Sequence, residues 1–446
     1  MMNMAKKIGF ISLGCPKNQV DSELMLKKLA DAGYEIIDTP IGADAVIINT
    51  CGFIEAAKQE SIDNIFEMAG YKEDGDVGKI IVVGCMAERY REEILKEMPE
   101  VDAVAGIGAN GDIVSFVDSV FEGKENMLFP EKEKLPLCGE RLLTTPSYRA
   151  YLKIADGCSN CCTYCAIPKI RGPQRSRPIE SIVEEAKRLA SDGVKELTVI
   201  AQDTTRYGDD IYGEPKLDEL LKQLDVIDGI EWIRLLYCYP DRLTDSVLET
   251  MRDSKHVLHY IDLPLQHANG RILKAMNRRG DSASLLALIG KIRDYMPDCV
   301  IRTTFMTGFP GEDDEAFNEL SEFVNAARFD RLGCFAFSPE EGTAAADMTE
   351  RPEKEVAEHR GEVIMDQQYK IFCEKQEELI GERVRCIVED YDGYTDVYSG
   401  RTWRDAPEID SGIFIISQRD LNIGDFVDVE ITDTKDYDLI GEVSDR

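Results

Sequence analysis

Three cysteines in one short string, Gly157-Cys158-Ser159-Asn160-Cys161-Cys162-Thr163-Tyr164-Cys165, are the sharpest chemical feature of the chain. Cys158, Cys162 and Cys165 have the spacing C-x3-C-x2-C. Thiolates are soft ligands that suit iron–sulfur clusters or zinc. A short loop can wrap one corner of a cubane cluster with three sulfurs, leaving one iron open for a substrate or cofactor. A structural zinc site would want a fourth Cys or His. Cys161 is the available candidate, but its side chain should point away from the face the other three share. A second trio, Cys15, Cys51 and Cys85, is dispersed, yet each closes a separate apolar run. Singly, each reads as a buried structural cysteine. Their shared placement at strand ends points instead to a second cluster, again with one open iron. Cys138, Cys161, Cys238, Cys299, Cys334, Cys373 and Cys386 show no ligand pattern and read as core or incidental residues.

The elements that must hold these cysteines follow from periodicity. Apolar runs at Lys7–Gly14, Ala43–Thr50, Lys79–Gly84 and Asp102–Ala105 alternate with helical patterns at Val20–Ala32, Glu55–Ala69 and Glu88–Glu97. Such alternation means βαβ units and a parallel sheet. In that sheet the three strand ends carrying Cys15, Cys51 and Cys85 share one edge, where ligands bind. Glu122–Ser147 mixes charges with Pro130, Pro136 and Pro146 and reads as a linker. The rhythm then resumes, with strands at Tyr151–Ala155, Glu196–Ala201, Trp232–Tyr237, Tyr260–Leu263, Val300–Met306 and Leu332–Phe337. Six βα units suggest a barrel or most of one, with chemistry at the strand C-terminal ends. A polar helix, Pro352–Ile380, leads to five short strands separated by Gly and Asp turns, a small closed barrel. The expected fold class is therefore α/β: an N-terminal parallel sheet domain (5–123), a linker (124–146), a central (β/α) partial barrel (147–375) and a C-terminal small antiparallel β-barrel (376–446).

Charge narrows the partners. The chain has 85 acidic and 52 basic residues among 446, a formal net charge of −33. Such a surface repels phosphate backbones and argues against a general nucleic-acid binder. It suits a basic protein, although solubility alone would explain it too. From Gly381 onward 17 acidic residues face 7 basic ones, a net of −10. No apolar run is long enough for a bilayer, and Met1–Lys7 leads straight into a strand too short for a signal peptide. A cytoplasmic protein is expected, and there thirteen cysteines are not a disulfide framework.

The cysteine loop at Cys158, Cys162 and Cys165, on a barrel-like domain, resembles the radical S-adenosylmethionine (SAM) superfamily. Further matches lie at Ala201-Gln202-Asp203-Thr204-Thr205, Asp262-Leu263-Pro264-Leu265-Gln266-His267 and Thr307-Gly308-Phe309-Pro310-Gly311-Glu312. The resemblance implies a [4Fe-4S] cluster and S-adenosyl-L-methionine, with Gln202, Asp203, Gln266, His267, Gly308 and Gly311 as cofactor contacts. The glycines would let the backbone approach the nucleoside, although Gly-Phe-Pro-Gly is also an ordinary turn. With the trio Cys15, Cys51 and Cys85 and a C-terminal TRAM barrel, the whole chain is similar to the methylthiotransferase family. That implies two [4Fe-4S] clusters, the second carrying sulfur. Ser12-Leu13-Gly14-Cys15-Pro16-Lys17-Asn18, Asn49-Thr50-Cys51-Gly52-Phe53-Ile54, Ala201-Gln202-Asp203-Thr204-Thr205-Arg206-Tyr207-Gly208 and the string Gly400–Asp410 look like its ribosomal branch. The implied substrate is the β-carbon of an aspartate in small-subunit ribosomal protein twelve, met through a basic loop or on the small subunit. A flavodoxin or ferredoxin would supply electrons, and a monomer is expected. Methylthiolation of a transfer-RNA adenosine and a non-enzymatic electron-transfer role stand as alternatives.

Four weaker expectations complete the reading. Lys169, Arg171, Arg175 and Arg177 form a basic patch that neutralises a cluster or the cofactor carboxylate, touches RNA, or is plain surface charge. Tyr151 and Lys153 pack under the cluster. His256, His259 and His359 are structural. Asp405, Glu408 and Asp410 offer acidic contacts to the basic substrate.

Overall fold

A computed structural model describes residues 5–444. Of the expected segments, the first four residues of Met1–Lys7 and the last two of 376–446 lie outside the described residues.

The first sheet is wholly parallel, with strand order β2-β1-β3-β4-β5-β6. Its strands are β1 (Lys7–Ser12), β2 (Glu35–Ile37), β3 (Ala45–Thr50), β4 (Ile80–Gly84), β5 (Ala103–Ala105) and β6 (Met127–Leu128). β3 and β4 are buried at every residue, as unbroken Val/Ile runs covered on both faces require. Separate cores on the two faces fix the register, pairing Ser12 with Asn49 and Thr50 with Gly84. The three adjacent strands β1, β3 and β4 therefore deliver Cys15, Cys51 and Cys85 to one edge. The stretch 124–146, expected as a linker, adds β6 to the sheet. It is also pinned by Arg141, paired with Glu23 and Glu185.

The central sheet contains β7 (Arg149–Lys153), β10 (Glu196–Ile200), β11 (Trp232–Leu235), β12 (Val257–Asp262), β13 (Val300–Thr307) and β14 (Arg331–Ala336). A two-stranded pair, β8 (Ala155–Asp156) and β9 (Arg175–Ser176), flanks the cysteine loop. The parallel order β14-β13-β12-β11-β10-β7 leaves β7 and β14 as edges, so the barrel is partial. A large apolar core fills the space between strands and outer helices. The inner face mixes apolar side chains with buried charges such as Glu196 and Arg234, and residues of all three domains cover it. Tyr151, Ile200, Trp232 and Tyr260 pack with Val20 from the first domain and with Ile387 and Ala406 from the last.

The helix Lys354–Glu377 packs along β14 and leads into the closed five-stranded barrel. That barrel comprises β15 (Arg383–Asp392), β16 (Val397–Thr402), β17 (Ile413–Ile416), β18 (Phe426–Lys435) and β19 (Asp438–Val443). Four neighbouring pairs are antiparallel, as expected. The pair β17–β19 is parallel, because β18 returns to β15 and leaves β19 to close the ring beside β17.

Candidate active site at two facing cysteine trios

Backbone geometry gathers the first trio. Cys15 sits at the N-cap of the helix Pro16–Asp31, whose first-turn proline suits a position that has no intrahelical N–H partner to lose. Gly14, at φ 87°, lies against Cys51; a Cβ there would stand 2.6 Å from the Cys51 Cβ. Cys51 exchanges hydrogen bonds with Ser61 of the helix Glu55–Glu73: its N–H donates to Oγ (3.1 Å), and Oγ donates to its carbonyl (3.0 Å). The Asn18 amide donates to the carbonyls of Leu13 and Thr50, which locks the ends of β1 and β3 together. Its Oδ1 accepts from Arg171 (2.6 Å) and from the Cys85 thiol (3.4 Å).

Charge differentiates the three thiols. Burial pushes Cys15 up, but Lys17, Arg171 and the N–H groups of Asn18 and Lys17 outweigh it and hold the thiol below its ordinary value. Burial, reinforced by Cys15, raises Cys51. Burial lifts Cys85 to about 12 against the opposing charge of Arg171, whose Nη2 lies 3.6 Å from its sulfur.

The second trio follows β8. Gly157, at φ 78°, presses against the Pro173 carbonyl, where no Cβ would fit. Asp203, buried at the end of β10, accepts from Asn160 (2.7 Å) and Thr205 (2.6 Å), tying the loop to the sheet. Burial raises Cys158 to about 11 and Cys165 to about 12. Arg278 Nη1 and the Tyr239 hydroxyl each lie 3.9 Å from the Cys162 sulfur. Cys161 has φ 54°, is exposed, and gives its carbonyl to Asn277, so it stands apart from the other three.

Each trio offers three free thiols, the soft donors that iron–sulfur clusters take. Among the described residues no three His, Cys, Asp or Glu side chains converge tightly enough to hold a single metal ion. Each trio consists of thiols close enough to influence one another's ionisation.

A buried charge network joins the trios. Arg171, a residue of the supposed surface patch, is 2% exposed and pairs with Asp156 (2.9 Å) and Asp21 (3.0 Å). Lys153 pairs with Asp21, and Asp156 accepts from the Gly157 N–H beside Cys158. Burial opposes ionisation of Asp156, but Arg171 and Lys153 outweigh it and hold its carboxyl well below the ordinary range. The chain Cys85–Arg171–Asp156–Gly157 thus leads from one trio to the other. Sequence reading missed Asn18, Asp21, Asp156 and Arg278; the only available signal was that Asn18 and Asp156 flank the cysteine strings.

Several expected contacts fall elsewhere. Lys169 and Arg175 donate to the carbonyls of Gly342, Glu133 and Leu135, and Arg177 is buried against Glu185, so these three members of the patch make structural contacts while Arg171 alone reaches a trio. His267 is fully buried; its Nε2 faces Glu312 (3.3 Å) and its Nδ1 accepts from the Asn269 N–H, so it braces a turn. Gly308 donates its N–H to Glu312 and abuts Ala357; Gly311 donates to the Glu350 carbonyl. The close approach at Gly308 is to the helix Lys354–Glu377, which that helix's packing demands. Gln202 remains aimed at the site: Nε2 donates to Asp156 (3.0 Å) and Oε1 is buried without a partner. Gln266 has a left-handed backbone (φ 74°) bridged to β13, with its side chain half-buried. Tyr151 donates to Glu408, so it packs toward the C-terminal barrel and not under the cysteine loop. His359 is exposed beside Glu362.

Residues 7–106 match the uncharacterized protein family UPF0004, residues 152–324 the radical SAM superfamily, and residues 380–443 the TRAM domain. The chain is 49% identical over 444 residues to the ribosomal protein uS12 methylthiotransferase RimO of Desulforamulus reducens, covering 98% of this chain and 99% of that protein. The RimO of Geobacter sulfurreducens is 44% identical over 452 residues, with 99% and 100% covered. Among solved structures, the radical S-adenosylmethionine methyltransferase TsrM from Kitasatospora setae, with tryptophan and a SAM analogue bound, shares the fold at TM-score 0.57 and 11% identity. That match covers 87% of this chain and 79% of TsrM.

Proposed function

The chain belongs to the RimO family of ribosomal protein uS12 methylthiotransferases, and from that premise we propose that it inserts a methylthio group at the β-carbon of an aspartate side chain of uS12. It is a radical SAM enzyme. The observation that carries the reading is the linkage of two cysteine trios through Arg171 and Asp156. When bound, a cluster held by Cys158, Cys162 and Cys165 would supply, with S-adenosyl-L-methionine, a hydrogen-abstracting radical, and one held by Cys15, Cys51 and Cys85 would supply sulfur.

The chain's own residues position and insulate these groups. Arg278 and Arg171 answer thiolate charge at the two trios. Asp203 holds the cysteine loop and Gln202 offers an unsatisfied acceptor at the strand ends. The packed inner face excludes water from below. A basic substrate loop suits the acidic C-terminal barrel, whose charge would repel transfer RNA. A flavodoxin or ferredoxin is the proposed electron donor, and the enzyme would act as a cytoplasmic monomer; among the described residues no helix is long and apolar enough to cross a membrane.

The test is anaerobic reconstitution with iron, sulfide, S-adenosyl-L-methionine and uS12. Two cubane clusters require about eight irons per chain. Replacing Cys158, Cys162 and Cys165 by Ala should remove about half the iron, as each trio holds one cluster, and all cofactor cleavage. Replacing Cys15, Cys51 and Cys85 should spare cleavage and abolish methylthiolation. Full iron retention by either variant would refute that trio's role, and a methylthio group found on transfer RNA and not on uS12 would refute the substrate.

A further inference from the structure

Lys17 is a buried cation with no acid to answer it. It lies two residues after Cys15 and is 6% exposed. The other cations between the trios are paired, Lys153 with Asp21 and Arg171 with Asp21 and Asp156. Arg278 also lacks a carboxylate, but its guanidinium is taken up by the Pro264 carbonyl (2.6 Å), the Tyr164 hydroxyl (3.5 Å) and the Cys162 sulfur. Among the described residues Lys17 forms no ion pair. Its ammonium lies over the Tyr237 ring, 3.2 Å from the centroid. Tyr237 follows β11, at the C-terminal edge of the central sheet, so Lys17 reaches from the first domain to the reactive edge of the second.

An ammonium withdrawn from water is unfavourable unless an anion meets it, and an aromatic face supplies only part of what hydration gave. The substrate can supply the anion. An aspartate whose β-carbon must lie between the two trios brings its carboxylate one bond away. There the carboxylate needs a cationic hydrogen-bond donor.

We propose that Lys17, held by Tyr237, receives the carboxylate of the substrate aspartate and so sets the preference for aspartate over its neutral isostere asparagine. This rests on the substrate reading above. The competing role is counter-charge to the Cys15 thiolate, which Lys17 is near enough to influence. The two roles differ in what the enzyme would distinguish: counter-charge acts on iron, carboxylate binding acts on the choice of substrate.

The experiment uses reconstituted full-length enzyme with two probes, uS12 and uS12 carrying asparagine at the target position. Binding is read by fluorescence anisotropy and kcat/KM by mass spectrometry of the product. Wild type should favour the aspartate form by on the order of a hundred-fold, the loss expected when one partner of an enclosed charge pair is removed. Lys17→Gln should bring the two forms to within about two-fold, with iron per chain unchanged, because a neutral amide no longer prefers the charged group. Lys17→Arg should keep much of the preference. If Lys17→Gln discriminates as wild type does, or loses its iron, the assignment is overturned. A wild-type enzyme that modifies neither probe would instead overturn the substrate reading beneath it.

Discussion

Arg171 shows what one side chain does when buried among acids and a thiol. It satisfies Asp156, Asp21 and the Asn18 amide and stands beside Cys85. Arg171→Met would leave two buried carboxylates short of a partner, at a cost of about 3–5 kcal/mol. The variant should unfold at a markedly lower temperature and hold less iron at the first trio; wild-type stability would remove Arg171 from that role. The pH dependence has a definite sign. The Asp156 carboxyl is held low in the folded protein, so its stabilisation is present at neutral pH and is lost as pH falls below the ordinary carboxylate range. Arg171→Met should flatten that acid limb of the stability curve. The raised thiols, Cys85 and Cys165, behave oppositely. Burial lifts Cys85 and Cys165 each to about 12, so the folded metal-free chain keeps protons that the unfolded chain releases above about pH 8.5. Metal-free protein should therefore lose stability between pH 8 and pH 10, as about 8.5 is the free thiol value, and iron loading should reduce the slope, since ligated thiolates no longer titrate. Equal slopes with and without iron would count against Cys85 and Cys165 as ligands.

At the scale of elements, turns at strand ends decide whether the thiols meet. Gly14→Ala would place a methyl 2.6 Å from the Cys51 Cβ and 3.0 Å from its sulfur, on a backbone at φ 87° that alanine disfavours. The expected result is a folded chain with about half the iron, since only the cluster proposed for Cys15, Cys51 and Cys85 would be displaced; full iron content would show that the turn relaxes without moving Cys51. These turns also explain what the sequence revealed. β3 and β4 were legible because both faces are buried and their apolar runs are unbroken. Short edge strands were not: Glu35–Ile37 and Met127–Leu128 are only partly buried and carry no pattern of their own. The helix after Cys15 begins at Pro16, four residues before its first apolar anchor, because polar Lys17 and Asn18 face the site and interrupt the periodicity. At His267 and Gly308 the sequence left the packing partners unread for a related reason. Residue type and strand-end position identify a chemical neighbourhood, but only packing shows that Glu312 and Ala357 occupy their reachable space.

For the whole molecule, the C-terminal barrel is a latch as well as an acidic surface. The string Arg401–Asp410, expected to face the substrate, closes the base of the central sheet instead. Arg401 pairs with Glu196 (2.6 Å), Asp405 with Arg331 (2.5 Å), Glu408 with Arg149 (2.6 Å), and Asp410 accepts from Tyr260 (2.6 Å). Glu196, Arg234 and Arg331 are buried and lose partners if the barrel is removed. Truncation after Ile380 should therefore destabilise the radical SAM domain and its iron site as well as substrate capture, and Asp405→Lys should do the same on a smaller scale. Among the exposed acids left for a basic partner are those of the β15–β16 hairpin. Asp390, Asp392 and the fully exposed Tyr394 stand at its tip, and Asp420 is near enough to act on Tyr391. Reversing Asp390, Asp392 and Asp420 to Lys should weaken uS12 binding and shrink its salt dependence while leaving iron content and thermal stability near wild type, since exposed charges contribute little to folding and are screened by salt. Binding that survives this triple reversal would place substrate capture elsewhere. A loss of thermal stability in the triple variant equal to that of Asp405→Lys would mean that the hairpin, too, belongs to the latch.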